Sequence, residues 1–554
     1  MFHTAATSTD LGETVIGTDR GGVAAASAGL KVLLVGVSGT ARDFLLSLPV
    51  LKSAAEENPD IAAAADIDIL QCFFIGHDEK DRRCREIVDH AVAFAPDVIG
   101  FSVYVWNIDA VLTAAGMLRQ ALPEARIVFG GPEIAASDVA GGRFQDLPAD
   151  FLVCGEGEIT FVGLLRHLID PHAHPVAAIP GLAWRRGAFV YNRPADENAL
   201  LIQDLDRMAS PYLTGVISRD FLRRPGMRAN IETQRGCNLR CAYCMYHKGM
   251  PTVRFRDPQV VLDEMKYIQA CGISELRIVD ANFFYNREYS AGIIAGMIRE
   301  RLEFGLFLEV IPLYIDEYIG GLLKEYRALS PRARVAVGIG IQSLNVQSLK
   351  AIKRNLPVRY FDRAFAVLSD AGAVIKTDII LGLPHETRAT YFELIEYVAE
   401  KMRYGFNYLS TALLRILPGS DLEAIAIREG LEVDPQDNEH FVCRTPTMSH
   451  RDIVDCMRYN VVANRFFTTN DEAARQKLRD RYFEVKDRLG VSHVALLGSF
   501  VDYFTETLAG TGSDFLLEDL LRFEFMYKTI FDEVPDAYIY RRLDQLVADG
   551  MPTN

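Results

Sequence analysis

Three cysteines fall within eight residues, in the stretch Glu232-Thr-Gln-Arg-Gly-Cys237-Asn-Leu-Arg-Cys241-Ala-Tyr-Cys244. The spacing C-x3-C-x2-C, with the aromatic Tyr243 just before the last thiol, lets one short loop present three thiolates together. Three thiolates can hold three irons of a [4Fe–4S] cube and leave the fourth iron open. A structural zinc site wants four closed ligands. The nearest fourth, His247, would give C-x3-C-x2-C-x2-H, an unusual zinc spacing. The other six cysteines, Cys72, Cys84, Cys154, Cys271, Cys443 and Cys456, are scattered in mostly apolar contexts and are expected to be buried and reduced.

The triplet with its aromatic resembles the radical S-adenosylmethionine (SAM) enzymes, in which the open iron chelates the amino and carboxylate groups of SAM. Downstream residues extend the likeness. Gln342, Arg354 twelve residues later, and Asp378 ahead of Ile-Ile-Leu-Gly-Leu-Pro384 resemble the SAM-binding set of the oxygen-independent coproporphyrinogen oxidase branch. The resemblance implies that Gln342 and Asp378 hold the ribose hydroxyls and that Arg354 pairs with the SAM carboxylate, a task suited to a planar guanidinium. The family usually places Gly-Gly-Glu near the second barrel strand. Here the stretch reads Val279-Asp280-Ala-Asn282, so Asp280 is the available carboxylate, for the SAM amine or for the cluster itself.

The elements that must position these groups follow from periodicity. From Ala229 onward, short apolar runs alternate with helical patterns: strands at Ala229–Glu232, Glu275–Val279, Leu306–Ile311, Val335–Ile341, Val374–Leu381 and Asn407–Leu414, with helices between. About six such units predict a partial TIM-type (β/α)6 barrel, with chemistry at the carboxyl ends of its strands. Tyr285, Glu309 and Tyr314 are the candidate acid–base groups there. A second alternating series precedes the barrel: strands at Lys31–Val37, Ile67–Ile75, Asp97–Val103, Ala125–Gly131 and Ala149–Cys154, and helices at Leu51–Ala65, Asp81–Phe94 and Ile108–Leu122. This predicts a Rossmann-like doubly wound sheet that binds its ligand outside the strand ends. No G-x-G-x-x-G or Walker motif follows the first strand, which leaves a dinucleotide or P-loop site without support.

Those strand ends carry Ser102-Val103-Tyr104-Val-Trp106-Asn, Gly130-Gly131-Pro132-Glu133 and Gly155-Glu156-Gly-Glu. In this order, upstream of the cysteine triplet, they resemble the cobalamin-binding domain of cobalamin-dependent radical SAM enzymes, where small residues let the cofactor's nucleotide tail approach the backbone. The likeness departs at one point: the loop after the first strand, Ser38 to Asp43, has no histidine for cobalt. The expectation is base-off cobalamin without a His ligand, its lower face over Val103 to Trp106, with Arg42 a lesser candidate and His77 a loop residue.

The resulting division is a flexible leader at 1–29, a cobalamin-binding domain at 30–175, a linker with a hairpin at 176–226, the radical SAM barrel at 227–431 and a helical C-terminal domain at 432–554. The last carries helices at Ser449–Thr468, Asn470–Arg488, Val491–Ala509 and Asp514–Ile530, then a polar acidic tail. A net charge of −15 argues against nucleic acid, and no apolar run reaches membrane-spanning length. A cytoplasmic protein is expected, with 49% hydrophobic and 24% charged residues. The resemblance implies a C-methyltransferase that moves a methyl group from SAM via methylcobalamin to a small-molecule precursor, with tryptophan among the candidates. It also implies an electron donor such as flavodoxin or ferredoxin. The alternatives are the same cofactors used for cyclisation, ring contraction or oxidation, and a non-catalytic cobalamin or redox sensor.

Overall fold

The computed structural model describes residues 14–15, 29–39, 43–73, 80–246, 252–403, 407–433, 440–467, 472–508 and 536–551. The first sheet holds β1 (Thr14–Val15), β2 (Leu30–Ser38), β3 (Ala65–Phe73), β4 (Val98–Ser102), β5 (Arg126–Gly130), β6 (Phe151–Val153), β7 (Leu182–Arg186) and β8 (Ala188–Tyr191). Its order is β1-β3-β2-β4-β5-β6-β7-β8, with β3, β2, β4, β5 and β6 parallel. Strands buried on both faces read as continuous apolar runs, as Val32 to Val35 do here. The connection reverses direction between β2 and β4, which opens the crevice of a doubly wound fold beside Ser38 and Ser102.

Three expectations about this half change. Thr14 and Val15, assigned to a flexible leader, pair antiparallel with β3, whose outer edge is otherwise open. The hairpin assigned to the linker continues the first sheet, β7 pairing with β6. The helix expected over Leu51–Ala65 is two, Ser47–Glu56 and Pro59–Ala64, because Pro59 lacks the N–H to continue the first and starts the second.

The second sheet is built from β9 (Ala229–Ile231), β12 (Glu275–Ile278), β13 (Gly305–Val310), β14 (Arg334–Gln342), β15 (Val374–Leu381) and β16 (Tyr408–Leu413). They lie side by side in chain order and all run parallel. Between β9 and β12, β10 (Gln234–Arg235) and β11 (Arg254–Phe255) form a short antiparallel stem. The cysteine loop is what that stem closes.

The C-terminal helices are His450–Phe467, Glu472–Leu489, His493–Leu508 and Asp536–Asp549. The last corrects the reading of a polar tail: Ile539, Leu543 and Leu546 recur at helical spacing and are buried. The helix expected over 514–530 lies outside the described residues, as do Arg42, His77 and His247. Among the described residues no helix is long and apolar enough to cross a membrane.

Candidate functional site

The cysteine loop leaves its stem through Gly236, at φ +108°, where a Cβ would run into the Thr252 carbonyl. Only glycine allows the two sides of the stem to approach so closely. The loop is then stitched to the barrel. Ala242 donates to the Ile352 carbonyl and accepts from Leu422 N–H, each at 2.9 Å. Cys241 is buried, while Cys237 and Cys244 are part-exposed. Burial raises the Cys237 thiol and lifts Cys244 to about 11. Arg354 Nη1 donates to Cys241 Sγ at 3.4 Å. Among the described residues no three ligand-type side chains close on a single ion. Three thiols on one loop, backed by a guanidinium, are a donor set that suits an anionic cluster.

Arg354 also donates to the Gly340 carbonyl at 3.1 Å. Gln342 sits above that glycine at φ +64°, a conformation rare for a residue with a side chain. Its amide nitrogen fills the space a Gly340 side chain would take, and its Oε1 is buried without a partner. A strained residue with an orphaned acceptor at a strand end is what a ligand-binding amide looks like before its ligand arrives. Tyr243 lies beside Arg354 and Cys241, and burial raises its phenol far above its usual range. The structure therefore brings Tyr243, Gln342 and Arg354 to the cysteines.

Asp280 is elsewhere engaged. It is 1% exposed and accepts from Thr233 N–H at 2.8 Å, from Thr233 Oγ1 at 2.5 Å and from Gln234 N–H at 3.2 Å. Burial outweighs these bonds and lifts its carboxyl from the ordinary 3.8 to about 7. Its oxygens hold the chain that enters the cysteine stem. Tyr314 accepts from Asn238 of the cysteine loop at 2.9 Å, and Tyr285 lies edge-on to it at 6.1 Å. Asp378 stands opposite Gly340 on the neighbouring strand, and Glu309 lies deeper in the barrel. Asp378 pairs with Lys376 at 2.8 Å, and Glu309 reaches the same ammonium at 3.8 Å.

In the first sheet the expected strand ends meet. Val103 N–H donates to the Gly130 carbonyl at 2.7 Å, and a Cβ on Gly131 would fall 2.6 Å from the Val103 carbonyl oxygen. Ser102 Oγ lies 3.2 Å from Ser47 Oγ. Asn107 ties the crevice together, its amide donating to the carbonyls of Val37 and Ser102, both at 3.1 Å. Tyr104 and Trp106 stack at 4.3 Å, and Trp106 remains 50% exposed. Small residues with tight backbones beside a flat exposed aromatic pair suit a large planar macrocycle. Pro132 is exposed at the rim. Glu133 is not free: it is 4% exposed and paired with Arg143 at 3.0 Å. Gly155, at φ +88°, makes the turn after β6.

Glu156 does not line that crevice. With Glu158 it faces the barrel and joins a buried ion cluster. Arg235, two residues before Cys237, reaches Glu158 at 2.8 Å, Glu156 at 3.3 Å and Glu232 at 2.9 Å. Arg254, on the other side of the stem, pairs with Glu156. Burial opposes the charge on Arg235, but its three carboxylates prevail and raise its pKa. Sequence reasoning missed this clasp. Its only signal is the pair of arginines flanking the cysteine loop, opposite two glutamates in a Gly-Glu-Gly-Glu turn. At the opposite rim, a Cβ added to Gly419 would fall 3.2 Å from Met245 of the cysteine loop and 3.3 Å from Ala135 and Ser137 of the first domain. The cysteine loop, the barrel rim and the β5 loop thus converge.

Comparisons with known proteins agree with this layout. Residues 59–165 match the B12 binding domain and residues 231–398 match the radical SAM superfamily. The chain is 29% identical over 72% of its length to the cobalamin-dependent radical SAM methyltransferase TokK of Streptomyces tokunonensis, covering 57% of that protein. It is 26% identical over 79% of its length to the 2-(S-pantetheinyl)-carbapenam-3-carboxylate methyltransferase of Streptantibioticus cattleyicolor, covering 65% of it. The chain thus spans less than two thirds of the length of these relatives. In fold it is similar to the radical SAM methyltransferase TsrM from Kitasatospora setae, with a TM-score of 0.60 at 19% identity, covering 74% of this chain and 81% of that one.

Proposed function

Because the chain joins a cobalamin-binding domain to a radical SAM domain, as known cobalamin-dependent radical SAM enzymes do, we propose that it is a C-methyltransferase acting on a small molecule. It would move a methyl group from SAM, by way of cobalamin, to a carbon of a natural-product precursor. The observation that supports the reading is the close approach of Met245, Gly419 and Ala135 with Ser137, which sets the cysteine loop and the barrel rim against the first domain. Two of its relatives are named as methyltransferases, which supports methylation as the reading to test first.

When bound, the cluster, SAM and cobalamin supply the electron, the methyl group and its carrier. The chain's own residues bind and orient. Cys237, Cys241 and Cys244 hold the cluster, and Arg354 offsets its charge and receives the SAM carboxylate. Gln342 and Asp378 hold the ribose, with the Gln342 amide oxygen gaining its missing partner. Asp280 steadies the stem through Thr233 and Gln234. Ser102, Gly130, Gly131 and Gly155 would leave room for the cobalamin tail, and Val103, Tyr104 and Trp106 would border its macrocycle. Among the described residues of this crevice there is no histidine, so cobalamin would be held base-off without a protein nitrogen on cobalt. Nitrogen hyperfine coupling in the cob(II)alamin resonance spectrum would refute that point. Tyr285, Tyr314 and Glu309 are the groups available for proton transfer. Reduction of the cluster calls for an external donor of the flavodoxin or ferredoxin kind.

The test is anaerobic reconstitution with iron, sulfide and hydroxocobalamin, then mass spectrometry of small-molecule extracts supplied with methyl-labelled SAM. The expected result is a labelled product together with S-adenosylhomocysteine, both lost when the three cysteines become alanine. Turnover by that triple variant, or a product without label, would overturn the reading.

A further inference from the structure

Residues of alternate register point into the barrel, and five strands place charges there in two successive rows. In the lower row Arg277 pairs with Phe307; one repeat nearer the cysteine loop Glu309 pairs with Gly338, Gly338 with Lys376, and Lys376 with Tyr408. That upper row lies one repeat below the pair Gly340 and Asp378, a drop of roughly 6.6 Å along the strands. Gly338 makes it passable: the Glu309 carboxylate occupies the space a side chain at 338 would fill.

The charges on this face of the sheet are unequally satisfied. Lys376 and Asp378 close on each other at 2.8 Å. Glu309 is left with only a 3.8 Å contact to that lysine, and its side chain stays 32% exposed. Burial and the Asp378 carboxylate raise the Glu309 pKa while the Lys376 ammonium and, less, the Arg277 guanidinium lower it, so a closer cation would favour its charged form. Arg277 lies over the Phe307 ring at 5.2 Å, is exposed, and among the described residues enters no ion pair. One open guanidinium and one under-partnered carboxylate stand on the same face of neighbouring strands, close enough to act on each other, beneath the candidate SAM layer. A singly charged molecule would use only half of this.

We propose that the barrel lumen takes an amino-acid-type zwitterion, its carboxylate on Arg277 and its ammonium on Glu309. The Phe307 ring lies under the Arg277 guanidinium, and the rest of the substrate would rise toward the cysteine loop. This rests on the proposed function for the role of the bound molecule, but the binding itself is separately testable.

The probes are the twenty standard L-α-amino acids, offered to the anaerobically reconstituted full chain by thermal shift and titration calorimetry. For each binder, the matching amide and the matching des-amino acid follow. At least one amino acid is expected to bind, and each analogue to bind roughly tenfold more weakly or worse, since each loses a charged hydrogen bond. In Arg277→Gln the preference for acid over amide should vanish, and in Glu309→Gln the preference for amine over des-amino acid. Arg277 is exposed, so its variant has no core to disturb. Absence of binding by all twenty, analogues that bind like their parents, or preferences unchanged in the variants would each overturn the proposal. Iron and cobalamin contents of the same samples separate the two readings. Bound cofactors without amino-acid binding sink only this inference. Absent cofactors sink the proposed function, while the titration still reads on the lumen.

Discussion

Gln342 combines two costs that a purely structural residue would shed: a left-handed backbone at φ +64° and a buried amide oxygen without a partner. Both are explained if a ligand hydroxyl donates to that oxygen. Gln342→Ala is therefore expected to weaken SAM binding roughly tenfold in equilibrium dialysis while iron content stays unchanged; equal affinity would remove Gln342 from the site. Asp280 gives a second test, through pH. Its folded pKa of about 7 lies above the ordinary 3.8, so between these values the folded chain holds a proton that the unfolded chain has lost. Stability from this group is present below about pH 4 and falls as pH rises toward about 7, by at most about 1.4 kcal/mol per unit. In urea titrations of the apoprotein, Asp280→Asn should flatten that slope relative to the parent, because the amide keeps an acceptor for Thr233 and Gln234 without the buried charge. Parallel slopes would contradict the assignment. At this scale the sequence was informative about residue type and less so about partner. Gln342 and Arg354 stood out by spacing, whereas the use of the Asp280, Glu133 and Glu156 oxygens depends on neighbours 10 to 98 positions away.

The elements were legible because their periods are clean. Apolar runs marked the buried parallel strands, and alternation of strand and helix gave both sheets. The misreadings came where one local signal competes with another. Pro59 splits a helix inside an Ala-rich run, and the final helix hides a buried stripe of Ile539, Leu543 and Leu546 within a charged sequence. The stem of the cysteine loop, two residues on each side, is too short to carry a period at all. Its geometry depends on Gly236. Gly236→Ala would push a side chain into the Thr252 carbonyl and is expected to cost most of the iron taken up in reconstitution, with far-ultraviolet circular dichroism unchanged. Full iron loading by this variant would show that the stem need not close as described.

At the scale of the whole molecule, the two halves are joined where the chemistry requires them to be. Arg235 and Arg254 flank the cysteine loop and grip Glu156 and Glu158 of the first domain. The clasp thereby fixes the loop against the sheet that faces it. Arg235→Met leaves the buried Glu158 and the part-buried Glu232 without their arginine, Arg254 pairing only with Glu156, and is expected to cost about 3–5 kcal/mol of stability. Calorimetry should show the loss, and unchanged melting would mean that the clasp is dispensable. The arrangement as a whole is tested most directly by cofactor stoichiometry. Anaerobically reconstituted wild-type chain is expected to hold about four irons and one cobalamin, and SAM should change the resonance spectrum of the reduced cluster through its open iron. With Cys237, Cys241 and Cys244 replaced by alanine, the iron should be lost and the cobalamin kept. Iron retained by that variant, no cobalamin on the wild-type chain, or a cluster spectrum indifferent to SAM would contradict the account.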